Sequence, residues 1–150
     1  MTTTEKPQMT FGKNEHIVSL KTIERLFAGG NRSMVSYPIR MVYMPDENSD
    51  VPIRVLVSVS KRHFKRAVKR NRVKRQIREA YRKHKADLFA AAAEANTAYA
   101  LAFIYMSDEL FPSKSIDISI QKLLARLNEK ITYKPHETKG ENKEDGTNGQ

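Results

Sequence analysis

The side chains best suited to binding chemistry lie between residues 65 and 82, in the segment KRAVKRNRVKRQIREAYR. Nine of these eighteen residues are Lys or Arg, and Glu79 is the only acid among them. Arg supplies planar, paired donors that match a phosphate group, whereas Lys supplies a point charge. The segment therefore indicates a polyanionic ligand, for which nucleic acid and anionic lipid are the candidates.

The excess charge of the chain is confined to this region. Residues 61–85 carry thirteen Lys or Arg and one acid, while the net charge of all 150 residues is only +10. The chain has no Cys, which excludes disulfides, and no apolar run as long as the roughly 18 residues of a membrane span. The N-terminal residues lack the apolar core of a signal peptide. We expect a cytoplasmic protein without membrane contact.

An α-helix through residues 67–85 would divide the basic segment into two faces, because successive residues turn by about 100°. One face, predicted to dock on a sheet, carries Val73, Ile77, Ala80 and Tyr81. The opposite face is a cationic arc of Asn71, Lys74, Arg75, Arg78, Arg82 and Lys85, flanked by Arg70. A solvated face normally mixes charges of both signs, so we interpret the arc as a binding surface. The uncharged Asn71 can hold a base edge, a ribose hydroxyl or a phosphate, which suggests a defined ligand pose.

The hydrophobic pattern predicts the elements that position this helix. A short helix at 19–30 begins at the cap residue Ser19 and ends at the Gly29-Gly30 pair. Strands are predicted at 37–44, 51–60 and 97–105, and a further short strand around 31–37. After Pro112, a last helix places its apolar residues on one face: Ile116, Ile120, Leu123, Leu124, Leu127 and Ile131.

This order of elements, α-β-β-β-α-β-α, predicts an α/β fold of the α+β sandwich type, with a small four-stranded mixed sheet and three helices. The segment DLFAAAAEA, which ends near Asn96, is a loop or a second helical piece. We predict a flexible N-terminal extension at 1–14, a single folded domain at 15–132, and a disordered polar tail at 133–150.

Catalysis by the chain itself is not indicated. Its four His residues are scattered, and no nucleophile-elbow, zinc-protease or P-loop pattern occurs. Asp46, Glu47 and Asp50 lack the spacing of an EF-hand, so a plain turn is favoured there. We therefore predict neither catalytic residues nor metal ligands.

Three other classes could explain a basic helix. A leucine-zipper DNA-binding region would need a leucine heptad downstream, and LFAAAAEANTAYALAF contains none. A membrane-surface helix would need large apolar residues such as Trp or Phe on its other face, and this helix has none flanking it. A ribosomal-type structural RNA-binding protein remains the alternative.

The run SVSKRHFKRAVKRNRVKRQIREAYR, at 58–82, resembles the signature of the bacterial ribonuclease P protein component. The family motif R-N-x-x-K-R-x-x-R is intact here at Arg70, Asn71, Lys74, Arg75 and Arg78. The resemblance covers about residues 16–131. It implies a protein subunit of an RNA-based endonuclease that removes the 5′ leader of precursor tRNA. The RNA subunit, with Mg²⁺ bound mainly by that RNA, would perform the hydrolysis.

The resemblance also implies partners, a topology and site residues. The partners are the ribonuclease P RNA and precursor tRNA, without an obligate protein partner, and the crossover around the motif helix is left-handed, against the general right-handed rule. The implied RNA-binding residues are Lys61, Arg62, Lys65, Arg66, Lys69, Arg70, Asn71, Arg72, Lys74, Arg75, Arg78 and Arg82. The implied leader cleft contains Phe27, Tyr43 and Ser58, with Ile23 where an aromatic is common. Bases stack on aromatic rings with little regard to sequence, which suits a variable leader.

Overall fold

The computed structural model describes residues 15–17, 19–46 and 49–132. The predicted N-terminal extension at 1–14 and the polar tail at 133–150 lie outside these residues. The elements, in chain order, are α1 (Leu20–Phe27), β1 (Arg32–Ser36), β2 (Ile39–Pro45), β3 (Ile53–Ser58), α2 (Ala67–His84), α3 (Ala86–Glu94), β4 (Tyr99–Tyr105) and α4 (Ser113–Thr132). None of the described helices is long and apolar enough to cross a bilayer.

The four strands form one mixed sheet in the order β1-β2-β4-β3. β1 pairs with β2 and β2 with β4 in antiparallel fashion, whereas β3 and β4 are parallel neighbours. A parallel pair needs a crossover connection, and α2 and α3 provide it. The predicted fold class and the four-stranded mixed sheet are confirmed, while the left-handed sense of the crossover stays a prediction.

The predicted number of three helices is wrong by one, because the segment after the basic helix forms a separate helix, α3. Lys85 ends α2 and precedes α3, and its side chain is almost completely buried. The chain changes direction there, and α3 buries Leu88, Ala91 and Ala92 in the same core as α2. Burial of these apolar side chains explains why the Ala-rich segment packs as its own helix.

The alternation along the strands produces two apolar clusters, one on each face of the sheet. One face of the sheet packs against α2, α3 and α4, and the main core there includes Met41, Val55 and Phe103. The other face packs against α1 through a smaller cluster that includes Leu26, Val42 and Ala102. The buried faces predicted for α2 and α4 are confirmed, since each of the apolar residues assigned to them is buried.

The ends of α1 follow the local signals in the sequence. Ser19 caps the helix by accepting a hydrogen bond from the N–H of Thr22, at 3.4 Å. Gly29 and Gly30 both have positive φ angles, +95° and +84°, which favour glycine and turn the chain into β1. The side-chain amide of Asn31 then donates to two carbonyl groups at the end of the helix.

Candidate nucleic-acid interface

The motif residues of α2 form one continuous stripe on the surface of the helix. Docking of the apolar face on the core turns the opposite face outward, and Asn71, Arg75 and Arg78 are all exposed. Lys74, Arg70 and Arg82 are half-buried at the borders of the stripe. The cations of the preceding loop and first turn, Lys61, Arg62, Lys65, Arg66 and Lys69, are exposed as well. The structure thus brings Asn71, Arg75, Arg78 and Arg82 together along one groove and exposes the cations of the preceding loop.

A groove of about 460 Å³ runs beside the stripe and is lined by His16, Asn71, Arg75, Arg78, Glu79 and Arg82. Its single acid is engaged within α2, because the Arg82 guanidinium donates to the Glu79 carboxylate. That hydrogen bond holds the pKa of Glu79 below its usual range and raises the pKa of Arg82. The groove therefore stays strongly positive, with Arg75 and Arg78 as exposed donors.

Arg72 and Arg70 differ from the rest of the predicted set. Arg72 lies on the side of α2 that faces the start of α4, in a second depression with Gln76 and Ser113. Arg70 uses one guanidinium nitrogen to bind the carbonyl oxygens of Phe64 and Lys65, both at 2.9 Å. Arg70 therefore fastens the basic loop to the first turn of the helix, so it has a structural task beside any contact with a ligand.

The prediction that Lys85 belongs to the cationic arc is wrong. Only 1% of Lys85 is exposed, and its ammonium group donates to both oxygens of Glu15, at 2.7 and 2.9 Å. The helical spacing alone places Lys85 with the other cations, but the N-terminal segment folds over this end of α2. A buried charge of this kind requires a partner, which Glu15 supplies.

Two His residues near the interface have carboxylate partners that are distant in sequence. His63, in the basic loop, lies 2.6 Å from a carboxylate oxygen of Asp108 in the loop after β4. His84, at the end of α2, lies 3.0 Å from Asp117 of α4. Both pairs tie the ends of the basic region to neighbouring elements.

The structure does not bring the three predicted cleft residues together. Phe27 is at the end of α1 with 47% of its surface exposed, and Ser58 is on the same face of the sheet as α1. Tyr43 points to the other face, where it belongs to the main core and is only 6% exposed. Burial raises the pKa of the Tyr43 hydroxyl, although the nearby Arg32 guanidinium acts to lower it. The assignment of Tyr43 to a cleft beside α1 is therefore corrected, because alternation along β2 sends its ring away from α1.

Beside the predicted Ser58, the α1 face of the sheet carries a row of side chains that sequence reasoning missed. The strand register places Val35, Arg40, Ile104 and Ser58 next to one another across the four strands. Paired residues of neighbouring strands project from the same face. Val35 and Arg40 are exposed, so this end of the sheet offers a platform with a cation and apolar neighbours. The period-two pattern could have revealed Arg40, since it alternates with Ile39 and Met41.

The described residues offer no obvious metal centre. Within the ranges that the structure covers, no group of three or more His, Cys, Asp or Glu side chains could hold a metal ion.

The small mixed sheet presents a polycationic helix within a β-α-α-β crossover. These two features together define a class of compact proteins that bind polyanions. The comparisons with known proteins identify the family within this class. The family model described as Ribonuclease P matches residues 11–127. The chain belongs to that family and is a protein component of ribonuclease P, the tRNA-processing endoribonuclease that pairs it with an RNA subunit.

Relatives and solved structures agree with this assignment. The chain is 38% identical over 125 residues to the ribonuclease P protein component of Porphyromonas gingivalis, covering 83% of this chain and 90% of the relative. It is 35% identical over 109 residues to that of Chlorobaculum tepidum, covering 67% and 70%. The fold is similar to the RNase P proteins of Staphylococcus aureus (TM-score 0.60, 22% identity, 75% and 94% covered) and Thermotoga maritima (TM-score 0.57, 18% identity, 73% and 94% covered).

Proposed function

We propose that the exposed stripe of α2 and the basic loop before it form the surface that binds the RNA subunit of ribonuclease P. The observation that carries this proposal is the arrangement of Asn71, Arg75 and Arg78 along one exposed face, backed by a helix face that is wholly buried. Guanidinium groups bind phosphate oxygens in pairs, and the amide of Asn71 can bind a ribose hydroxyl or a base edge.

The second part of the proposal concerns the precursor tRNA. We infer that its single-stranded 5′ leader lies on the α1 face of the sheet, against the exposed ring of Phe27 and the row that contains Arg40 and Ser58. A ring with nearly half its surface exposed can stack on a base, and a cation on the same side of the sheet can bind a phosphate of the leader. Tyr43 has no part in this surface.

The chemistry of leader removal is assigned to the RNA subunit. Mg²⁺ bound mainly by that RNA would supply the activation of water and the stabilisation of the leaving oxygen. The task of the protein is to lower the electrostatic cost of bringing two polyanionic RNAs together. The cytoplasm is the proposed location.

Binding titrations with a bacterial ribonuclease P RNA transcript test the first part. Asn71→Ala, Lys74→Ala, Arg75→Ala and Arg78→Ala should weaken binding while the circular dichroism spectrum is unchanged. The matched control is Lys122→Ala on the exposed face of α4, which removes a cation of the same chain at another surface. Equal affinity for all four variants and the wild type would refute the assignment of α2 as the RNA contact.

Reconstitution separates this function from that of a ribosomal-type RNA-binding protein. At low Mg²⁺ concentration, the RNA transcript should cleave precursor tRNA faster with the wild-type protein than alone, and the α2 variants should lose this stimulation. A protein that binds the RNA but leaves the cleavage rate unchanged would support the structural role instead.

A further inference from the structure

The described residues Glu15, His16 and Ile17 form a short segment whose main chain is held by the edge of the sheet. The N–H of Ile17 donates to the carbonyl of Val55 on β3 at 3.1 Å, and His16 forms an isolated parallel bridge with the same residue. Ile17 is buried in the apolar cluster beneath α1. The segment therefore runs beside β3 in a defined register.

A buried ion pair, which we call the Glu15–Lys85 clasp, holds the same segment from the other side. Lys85 lies at the joint between α2 and α3, and its ammonium group binds both carboxylate oxygens of Glu15. The ammonium also lies 5.2 Å from the centre of the Phe89 ring. The two neighbours of His16 are therefore both fixed, Glu15 by the clasp and Ile17 by its hydrogen bond to β3. These contacts restrict the position of His16 relative to α2.

His16 lines the positive groove opposite the α2 stripe. The helix contributes Asn71, Arg75, Arg78 and Arg82 to this groove, and the N-terminal segment contributes His16. An imidazole can donate to a phosphate or ribose oxygen through a ring nitrogen, and it can also stack on a base. The groove thus combines donors for phosphate on one wall with a group suited to ribose or base on the other.

We propose that His16 is an RNA-binding residue, that the ribose-phosphate backbone of the RNA subunit runs between His16 and α2, and that the Glu15–Lys85 clasp positions His16 for this contact. The proposal rests on the proposed function of α2 and extends it to a segment outside the motif. Precursor tRNA carries the same backbone chemistry, so the experiment must distinguish the two RNAs.

Directed cleavage of RNA locates the occupant of the groove. Because the chain contains no Cys, His16→Cys creates a unique attachment site for Fe(II)-EDTA, which generates hydroxyl radicals nearby. The same probe is attached at Asn71→Cys, on the opposite wall, and at Gln121→Cys, an exposed α4 position that does not line the groove. Each protein is assembled with a bacterial ribonuclease P RNA transcript and precursor tRNA.

We expect the probes at positions 16 and 71 to cleave overlapping nucleotides of the ribonuclease P RNA and the probe at position 121 to leave them intact. Cleavage from position 16 that is confined to precursor tRNA would overturn the RNA subunit as the occupant. A cleavage pattern from position 16 that matches that from position 121 would overturn the role of His16 altogether.

Affinity measurements test the contact and the clasp separately. His16→Ala should reduce affinity for the ribonuclease P RNA about ten- to hundredfold, as expected for one lost hydrogen bond to a charged group, and Gln121→Ala should have no effect. Glu15→Ala/Lys85→Ala should cause a similar loss with a native circular dichroism spectrum. Adding His16→Ala to that pair should cause no further loss, because His16 is then already displaced. Additive losses would overturn the positioning role.

The outcomes also separate this inference from the proposed function. If Arg75→Ala and Arg78→Ala weaken binding while His16→Ala does not, α2 remains the RNA contact and the role of His16 is refuted. If none of the three weakens binding, the proposed function itself fails.

Discussion

Replacing Lys85 with Met is expected to destabilise the protein severely, although the substitution retains an unbranched side chain of similar length. Lys85 is 1% exposed and Glu15 is 7% exposed, so both groups of this ion pair are shielded from water. The variant removes two charge-assisted hydrogen bonds, at 2.7 and 2.9 Å, and leaves the carboxylate of Glu15 in a buried site. Removing one partner of a buried ion pair costs about 3–5 kcal/mol of unfolding free energy.

For a domain of this size, such a loss corresponds to a fall in the melting temperature of roughly 10–20 °C. Replacing both partners, in Glu15→Leu/Lys85→Met, should restore most of the stability, because no charge then remains buried and the apolar side chains fill similar volumes. Urea unfolding followed by circular dichroism at 222 nm measures both variants. Lys122→Met, on the exposed face of α4, serves as the matched control and should change the unfolding free energy by less than about 0.5 kcal/mol.

Two results would contradict this reasoning. A loss below about 1 kcal/mol for Lys85→Met would mean that the pair behaves as a solvent-exposed ion pair, and therefore that the N-terminal segment does not cover it in solution. A double variant as unstable as Lys85→Met alone would mean that the loss arises from packing of the Lys85 stem and not from removal of the ammonium group that binds Glu15.

Three further predictions follow from the interface and the core. If about six to eight phosphates are bound, the logarithm of the affinity for the ribonuclease P RNA should fall with the logarithm of the salt concentration by about 0.7–0.9 per contact. In filter-binding titrations, Arg78→Ala should reduce this slope by about one contact. An unchanged slope would exclude a phosphate contact at Arg78. Phe27→Ala should weaken binding of precursor tRNA by about 1–3 kcal/mol without changing binding of mature tRNA. Tyr43→Phe, in the core, should change the affinity for neither RNA. An equal loss of affinity for both RNAs in Phe27→Ala would indicate unfolding. Burial raises the pKa of Tyr105 to about 12, above the value near 10 of an unfolded chain. The contribution of this group to the unfolding free energy is therefore complete below pH 10 and should be lost as the pH rises from about 10 to 12. In urea unfolding over this pH range, Tyr105→Phe should lose less stability than the wild type.

Much of the architecture can be predicted from the sequence because it depends on local periodicity. Ser19 and the Gly29-Gly30 pair mark the ends of α1, since capping and positive φ angles depend on residue type at single positions. The alternation of Val55 and Val57 with Arg54, Leu56 and Ser58 gives the two faces of β3. The 3.6-residue period separates the buried face of α2 from the stripe of Asn71, Arg75 and Arg78.

Periodicity also had its limits within single elements. It could not show that α2 stops at His84 and that α3 starts at Ala86, because both segments are rich in helix-forming residues. Alternation along β2 places Tyr43 on one face with Ile39 and Met41, and the structure shows that this face is the one opposite α1. Which layer covers which face depends on how the chain crosses the sheet, and the pattern of one strand does not contain that information.

The sequence by itself determined the charge, the motif and the amphipathic faces of this protein, because each of these depends on residues that are close together in the chain. Only the tertiary structure decided that Lys85 is buried against Glu15, 70 residues away, that His16 lies across the groove from the motif helix, and that Tyr43 faces away from α1. The physical reason is that burial and ion pairing depend on which surfaces meet after folding. Helical spacing specifies only the direction in which a side chain leaves its own helix.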